Sequence, residues 1–428
     1  MAPAQRIGFW MAVALVMGNM IGSGIFLLPA SLATYRGIGV LGWVVSAVGS
    51  LLLALVFARM ARAQPAAGGP YAFTRLGFGD LAGFLVAWGY WISVCCGNAA
   101  IALACIGYLE PFFPNLVRHP GWTAIAAAAS VWLLTAINIR GIREAAQVQV
   151  VTTVLKILPL LLISAAAFLK FRPGALSLTA PDTRTMAGHL STAAAMTFWA
   201  FGGLESATIP ADSVDDPQRT IPRATVVGTI LTAVIYVVST IGVMSVVPIE
   251  ALKSSTAPFA DAAQAFVGNW AGFAVAAGAA VACFGALNGW ILIAGQMPLA
   301  IAQDGLFPEA FGRVSARGTP ATALIISSVL TTALIALNST RQLVDLFTFI
   351  ILLGTLNALV PYAFSALSAI LIDRDAARSI TTKGTAVALL AFAYSVWMIG
   401  GAGTEVVYWG FLLLLLGLPV YVWVIRGR

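Results

Sequence analysis

Charge is what this chain has least of: Asp, Glu, Lys and Arg together make up 9% of its 428 residues, against 60% hydrophobic ones. Soluble domains carry about a quarter of their residues as charges, so a water-exposed fold is excluded. Histidine is nearly absent, with only His119 and His189, both at loop or span edges and away from any cysteine or carboxylate cluster. The four cysteines, Cys95, Cys96, Cys105 and Cys283, all fall in apolar segments, where a thiol behaves as a small hydrophobe. No disulfide framework, C-x-x-C pair or metal-ligand spacing results, and no nucleophile lies near a candidate base. The chain is therefore not expected to be an enzyme, or to hold a metal or cofactor. Its net charge of +7 comes without a basic cluster interleaved with aromatics, so nucleic acid is not an expected partner.

What is present is apolar sequence in lengths that cross a bilayer, which makes the lipid bilayer the first partner. Runs of about 20 apolar residues predict an all-α integral membrane protein with twelve spans. These lie near 8–34, 38–62, 80–108, 122–140, 146–169, 187–210, 221–247, 269–301, 321–338, 342–370, 384–403 and 406–425. Arg6 is followed directly by a span-length segment with no small-residue cleavage site, so the first span is expected to be retained. Basic residues concentrate on the side of the termini, among them Arg6, Arg62, Arg75, Arg140, Arg223, Arg317 and Arg426. The positive-inside rule then puts both termini in the cytoplasm of a cell whose inner membrane holds the chain.

Two spans contain backbone that resists helix formation. Gly18-Asn19-Met20-Ile21-Gly22-Ser23-Gly24 interrupts the first, and Phe201-Gly202-Gly203-Leu204-Glu205 the sixth. Three glycines in seven residues disfavour helix, and unpaired backbone at bilayer depth survives only where it lines a protected cavity. Paired interruptions in two halves point to a transport site. A new half-helix opening at Ser23, Gly24 and Ile25 offers free amides and a positive dipole end to a carboxylate, while carbonyls at the end of the preceding half suit an ammonium. Pro29 is expected near the first turn of the new half-helix, and Pro210 lies beyond the second break. An amino acid carries both complementary groups. The plainer reading, that the glycines only permit close helix packing, accounts for each break singly but not for the pair.

Several further stretches carry a resemblance: Gly22-Ser23-Gly24-Ile25-Phe26 with Pro29, Gly68-Gly69-Pro70-Tyr71, Trp199-Ala200-Phe201-Gly202-Gly203-Leu204-Glu205-Ser206, Asp216-Pro217-Gln218-Arg219-Thr220-Ile221-Pro222-Arg223, and Asp304-Gly305-Leu306-Phe307-Pro308 with Gly318-Thr319-Pro320. In this order they resemble the amino acid, polyamine and organocation (APC) transporter superfamily, and within it the bacterial basic amino acid/polyamine antiporters of the arginine/agmatine type. The resemblance implies a LeuT-type fold. Residues 1–370 would form the transport core, with inverted repeats at about 8–169 and 187–370, and residues 371–428 would add spans 11 and 12. It also implies alternating access and, often, a homodimer.

The same resemblance implies roles for single residues. The substrate carboxylate would meet the amides of Ser23 and Gly24, and the α-amino group carbonyls near Ile21, Trp199 and Gly202. Trp290 would stack on the substrate cation and Asn98 would bond it, roles that suit an indole face and an amide oxygen. Tyr90, Trp199 and Tyr362 would serve as gates, and Glu205 would couple transport to pH. Each has a duller alternative in helix packing or interhelical hydrogen bonding. For Glu205, a carboxyl inside a span, the alternative is a neutral brace for the broken helix.

Two departures from the arginine pattern keep the substrate open. Val94 and Gly354 stand where that pattern has small polar side chains, which reads as two hydrogen-bond partners lost. Lys156, in mid-span, is instead familiar from sodium-independent and proton-coupled neutral amino acid permeases, where the ammonium replaces a sodium ion. Three functions follow: an amino acid/amine antiporter, a proton-coupled or sodium-independent neutral permease, and a transporter-like sensor or partner-dependent subunit.

Overall fold

The computed structural model describes residues 8–63, 69–140, 160, 177–178, 185–204, 214–316, 318–337, 340–375 and 382–427. Glu205, Lys156 and all of the fifth predicted span except Leu160 lie outside them. The described residues are helical throughout the bundle. The order is α1 (Phe9–Met20), α2 (Ser23–Leu32), α3 (Gly37–Ala63), α4 (Gly69–Phe78), α5 (Asp80–Gly107), α6 (Pro120–Arg140), α7 (Met186–Phe198), α8 (Pro217–Val246), α9 (Pro258–Val267), α10 (Asn269–Gln303), α11 (Ala321–Leu337), α12 (Leu343–Asp375), α13 (Thr382–Gly401), α14 (Thr404–Leu415) and α15 (Gly417–Arg426). Among the described residues, eight helical stretches are long and apolar enough to cross a membrane, and the chain is a multi-pass membrane protein. The predicted first span is two helices, α1 and α2, and the predicted last span is α14 and α15.

Burial ranks the helices from centre to rim. In the most apolar window of α5, 94% of residues are buried, against 17% in the last span. The sequence explains the central place of α5: its second half, Cys95-Cys96-Gly97-Asn98-Ala99-Ala100, is built of small side chains that let neighbouring backbones approach closely. Helices α10 and α12 pack along it, while α3 packs against α7 and α8. At the rim, Trp397, Trp409 and Trp423 face outward, as expected where the surrounding solvent is lipid.

Polar side chains inside the bundle join helices, because water cannot reach them there. The Trp91 indole N–H donates to Ser327 Oγ at 2.8 Å, Thr135 and Ser328 share a bond of 2.6 Å, and Asn138 Nδ2 donates to Asn288 Oδ1 at 2.9 Å. These bonds fasten α5 to α11, α6 to α11 and α6 to α10.

Candidate substrate site

The first break falls where the glycines predict it. Helix α1 ends at Met20, and the chain turns tightly there: the Gly22 amide donates to the Met20 carbonyl at 2.8 Å. Gly22 is extended, with φ −116° and ψ −152°, and α2 starts at Ser23 without a side-chain cap. The opening amides of α2 thus have neither an intrahelical partner nor a cap. Pro29 is not in the first turn as expected. It is the seventh residue of α2, and its missing N–H takes a partner from the Ile25 carbonyl.

The second break ends α7 with a 3₁₀ turn, Trp199–Phe201. Gly202 then leaves the helix, and Gly203 has φ +96°, a left-handed conformation that glycine adopts without steric cost. The Trp199 carbonyl accepts from the Gly202 amide at 3.1 Å and keeps a second lone pair for a ligand.

The two breaks meet at one cavity. Its wall takes Met20, Gly22 and Gly24 from the first break and Trp199, Ala200, Gly202 and Gly203 from the second. Helix α5 adds Tyr90, Ser93, Val94, Gly97 and Ile101, a spacing that keeps all five on one helical face. Helix α12 adds Thr355, Ala358 and Tyr362 by the same rule, and α10 adds Trp290. Not one described residue of this wall is charged. The fields inside it come from helix ends, hydroxyls and aromatic faces.

Of the residues singled out from sequence, Gly24, Tyr90, Trp199, Gly202, Trp290 and Tyr362 line this cavity. Ile21 is buried behind it, and its amide donates to the Met17 carbonyl at 2.8 Å. Asn98 is also off the wall, one residue past Gly97 on α5, with its Oδ1 buried and unpaired. Ser23 contributes the first residue of α2.

Trp199 lies across the cavity on a bed of glycines. A Cβ on Gly24 would stand 3.2 Å from its Cδ1, one on Gly354 3.1 Å from Cζ3, and one on Gly97 only 2.7 Å from Cη2. The indole therefore runs from the start of α2 to the seam between α5 and α12. Gly354, which sequence reads as a lost hydrogen-bond partner, is a seat for this ring.

Tyr236 on α8 went unnoticed in the sequence, being one tyrosine in an apolar helix. Its buried hydroxyl lies 2.6 Å from the Met20 carbonyl and 3.0 Å from the Ala200 carbonyl, joining the two breaks. A phenol has one proton, so the shorter bond takes most of it. Tyr236→Phe is expected to weaken binding of any ligand held between the two breaks about tenfold. The net bond is worth about 1–1.5 kcal/mol, which is about a factor of ten in a dissociation constant. The dissociation constant of the folded fraction measures this, and a wild-type value would remove the hydroxyl from the site.

At the end of the bundle that carries most of the basic residues, two of the sequence landmarks meet. Tyr71 of Gly69-Pro70-Tyr71 donates to Asp304 Oδ2 at 3.0 Å, Arg75 donates to the Tyr71 hydroxyl at 3.2 Å, and the Arg75 Nε reaches Asp80 Oδ1 at 2.8 Å. Burial, then the Asp304 carboxylate, pushes the Tyr71 hydroxyl well above its ordinary range. It therefore stays a proton donor at physiological pH and ties α4 to the turn after α10. At the opposite end, Tyr108 donates to the Phe26 carbonyl at 2.7 Å and accepts from the Phe259 amide at 3.3 Å, joining α2 to α9.

A membrane-embedded bundle with two broken helices facing one neutral, aromatic cavity defines a small-molecule transport protein. The chain belongs to the amino acid permease family, whose profile matches residues 7–422, and within that family to the basic amino acid/polyamine antiporters. It is 34% identical over 379 residues to the cadaverine/lysine antiporter of Escherichia coli K12, covering 86% of this chain and 84% of that one. It is 33% identical to the putative arginine/ornithine antiporter of Bacillus subtilis, covering 98% and 97%. To the arginine/ornithine antiporter of Pseudomonas aeruginosa it is 32% identical, covering 94% and 87%.

Proposed function

We propose that the protein is a secondary active antiporter that exchanges an amino acid for an amine or a second amino acid by alternating access. The observation that carries this reading is the convergence of the α2 amides and the Trp199 carbonyl on one cavity, which supplies complementary ends for a carboxylate and an ammonium. In this reading twelve spans form the bundle. Residues 1–370 make a 5+5 inverted-repeat core, and spans 11 and 12 stand outside it. The substrate is a basic amino acid or polyamine: the activities of the relatives favour it, and so does Trp290. Trp290 lines the cavity, and an indole there would attract a cation by about 1–2 kcal/mol when desolvated. Trp199, Tyr90 and Tyr362 gate the cavity, and Glu205 and Lys156 couple exchange to protons without sodium.

Uptake into proteoliposomes tests the reading. Labelled lysine or arginine is expected to accumulate when the vesicles are preloaded with lysine, ornithine or cadaverine, and not when they are empty. Equal uptake into empty vesicles driven by a proton gradient would favour a permease. That second reading has one observation behind it, the apolar Val94 on the cavity wall.

A further inference from the structure

Among the described residues, several buried hydroxyl and amide oxygens have no hydrogen-bond partner. Only one belongs to a residue of the cavity wall: Thr355 Oγ1 on α12. Thr355 is 1% exposed. Threonine in a helix usually bonds back to the carbonyl four residues earlier, and other polar residues of α12 do so. Thr348 donates to the Val344 carbonyl at 2.7 Å, Asn357 to Leu353 at 2.9 Å and Ser368 to Phe364 at 2.9 Å. Thr355 makes no such bond. Valine has the same shape and would spare the bundle an unpaired polar group, so the hydroxyl lowers the stability of the empty protein. A ligand that supplies a donor removes that penalty.

We propose that Thr355 receives the charged tip of the substrate side chain and fits the cavity to a primary ammonium, as on lysine, ornithine or a short diamine. The inference rests on the antiporter reading above and adds the substrate class. An ammonium directs three N–H bonds tetrahedrally, towards different walls. The wall offers matching groups on separate helices: Thr355 on α12, Ser93 on α5 and the Trp290 indole on α10. A guanidinium is planar and wants its acceptors side by side in one plane. The neighbour that could supply a second acceptor, Gly354, has no side chain, and the Trp199 ring occupies the space beside it. The cavity therefore recognises positive charge with neutral oxygens and an aromatic face, which lets the cation leave as readily as it enters.

The test is exchange in proteoliposomes with lysine, ornithine, arginine and norleucine, the last being lysine with a hydrogen in place of the ammonium. The wild type is expected to prefer lysine and ornithine to arginine. Thr355→Val is expected to raise the KM for lysine and ornithine about tenfold and to leave that for norleucine unchanged. Thr355→Ser, which keeps the hydroxyl, is expected to retain the lysine preference, and Thr355→Ala, which removes it by a different route, to lose it. Melting of empty Thr355→Val should occur at or above the wild-type temperature. An unchanged lysine-to-norleucine ratio in both Thr355→Val and Thr355→Ala overturns the role of Thr355, and so does a larger loss for arginine than for lysine. A wild type that exchanges norleucine but no cationic amino acid overturns the basic amino acid reading itself, before any variant is compared.

Discussion

Gly24→Val is expected to abolish binding and exchange of every substrate, with a loss of at least a hundredfold, while the protein still inserts and purifies folded. The reason lies in how closely the two breaks approach. A Cβ at position 24 would meet the Ala200 side chain at 3.1 Å and Trp199 at 3.2 Å, with the Ala200 backbone at 3.3 Å. Valine adds two further methyl groups at a contact already tighter than most Cβ contacts, so α2 is expected to move away from the 3₁₀ turn. That motion separates the amides from the carbonyls that together are proposed to hold the backbone of an amino acid. Both cationic and neutral substrates share that backbone, so the loss should not depend on the side chain. Scintillation-proximity binding with labelled lysine and leucine measures it. Normal binding by the variant would leave the first break with a packing role alone.

The second large effect is expected at Gly97. Here a Cβ would stand 2.7 Å from Trp199 Cη2, a distance at which something has to shift. Gly97→Val is expected to push the indole off its bed into the cavity and reduce exchange more than thirtyfold. If the cause is the ring, a smaller ring should relieve it: the double variant Gly97→Val with Trp199→Phe is expected to recover part of the activity that Gly97→Val alone loses. Additive losses in this double-mutant cycle would show that the two positions act independently. The prediction depends on the seat and not on stability, since melting of the single variant can be followed in parallel.

The interrupted spans were legible because their chemistry is local. Three glycines around Met20-Ile21 and a Gly-Gly pair after Phe201 resist helix on their own account, so the two breaks and the half-helix at Ser23 follow from sequence spacing. Pairing across the fold is another matter. Tyr236 sits in an ordinary apolar helix, and no residue beside it hints that its hydroxyl meets carbonyls 36 and 216 positions away. Gly354 has a second role that the sequence does not show: besides lacking a polar side chain, it leaves the space against which the Trp199 ring sits. Asn98, to which the resemblance gives a substrate contact, is not among the lining residues, although it stands four residues from Val94 and three from Ile101, so helical spacing alone does not separate it from the wall. Pro29 shows the limit of boundary reading, since a shift of one turn separates a tolerated proline from one that leaves a carbonyl unpaired. Tyr90 and Tyr362, which the resemblance proposes as gates, both line the cavity, each in phase with other wall residues on its own helix.

The junction between α14 and α15 is tied to a different helix. Trp88 of α5 donates its indole N–H to the Leu413 carbonyl at 2.8 Å, and Gly417 has no side chain where a Cβ would come within 2.8 Å of the same ring. In hydrocarbon a carbonyl without a partner costs several kcal/mol, so the indole supports the last span where its helix is interrupted at Leu416. The final span is consequently not a modular part. Grafted onto another protein it would leave the Leu413 carbonyl without this donor, and a chimera that keeps this segment but replaces the central helix would lose that support at a point more than three hundred residues from the substitution.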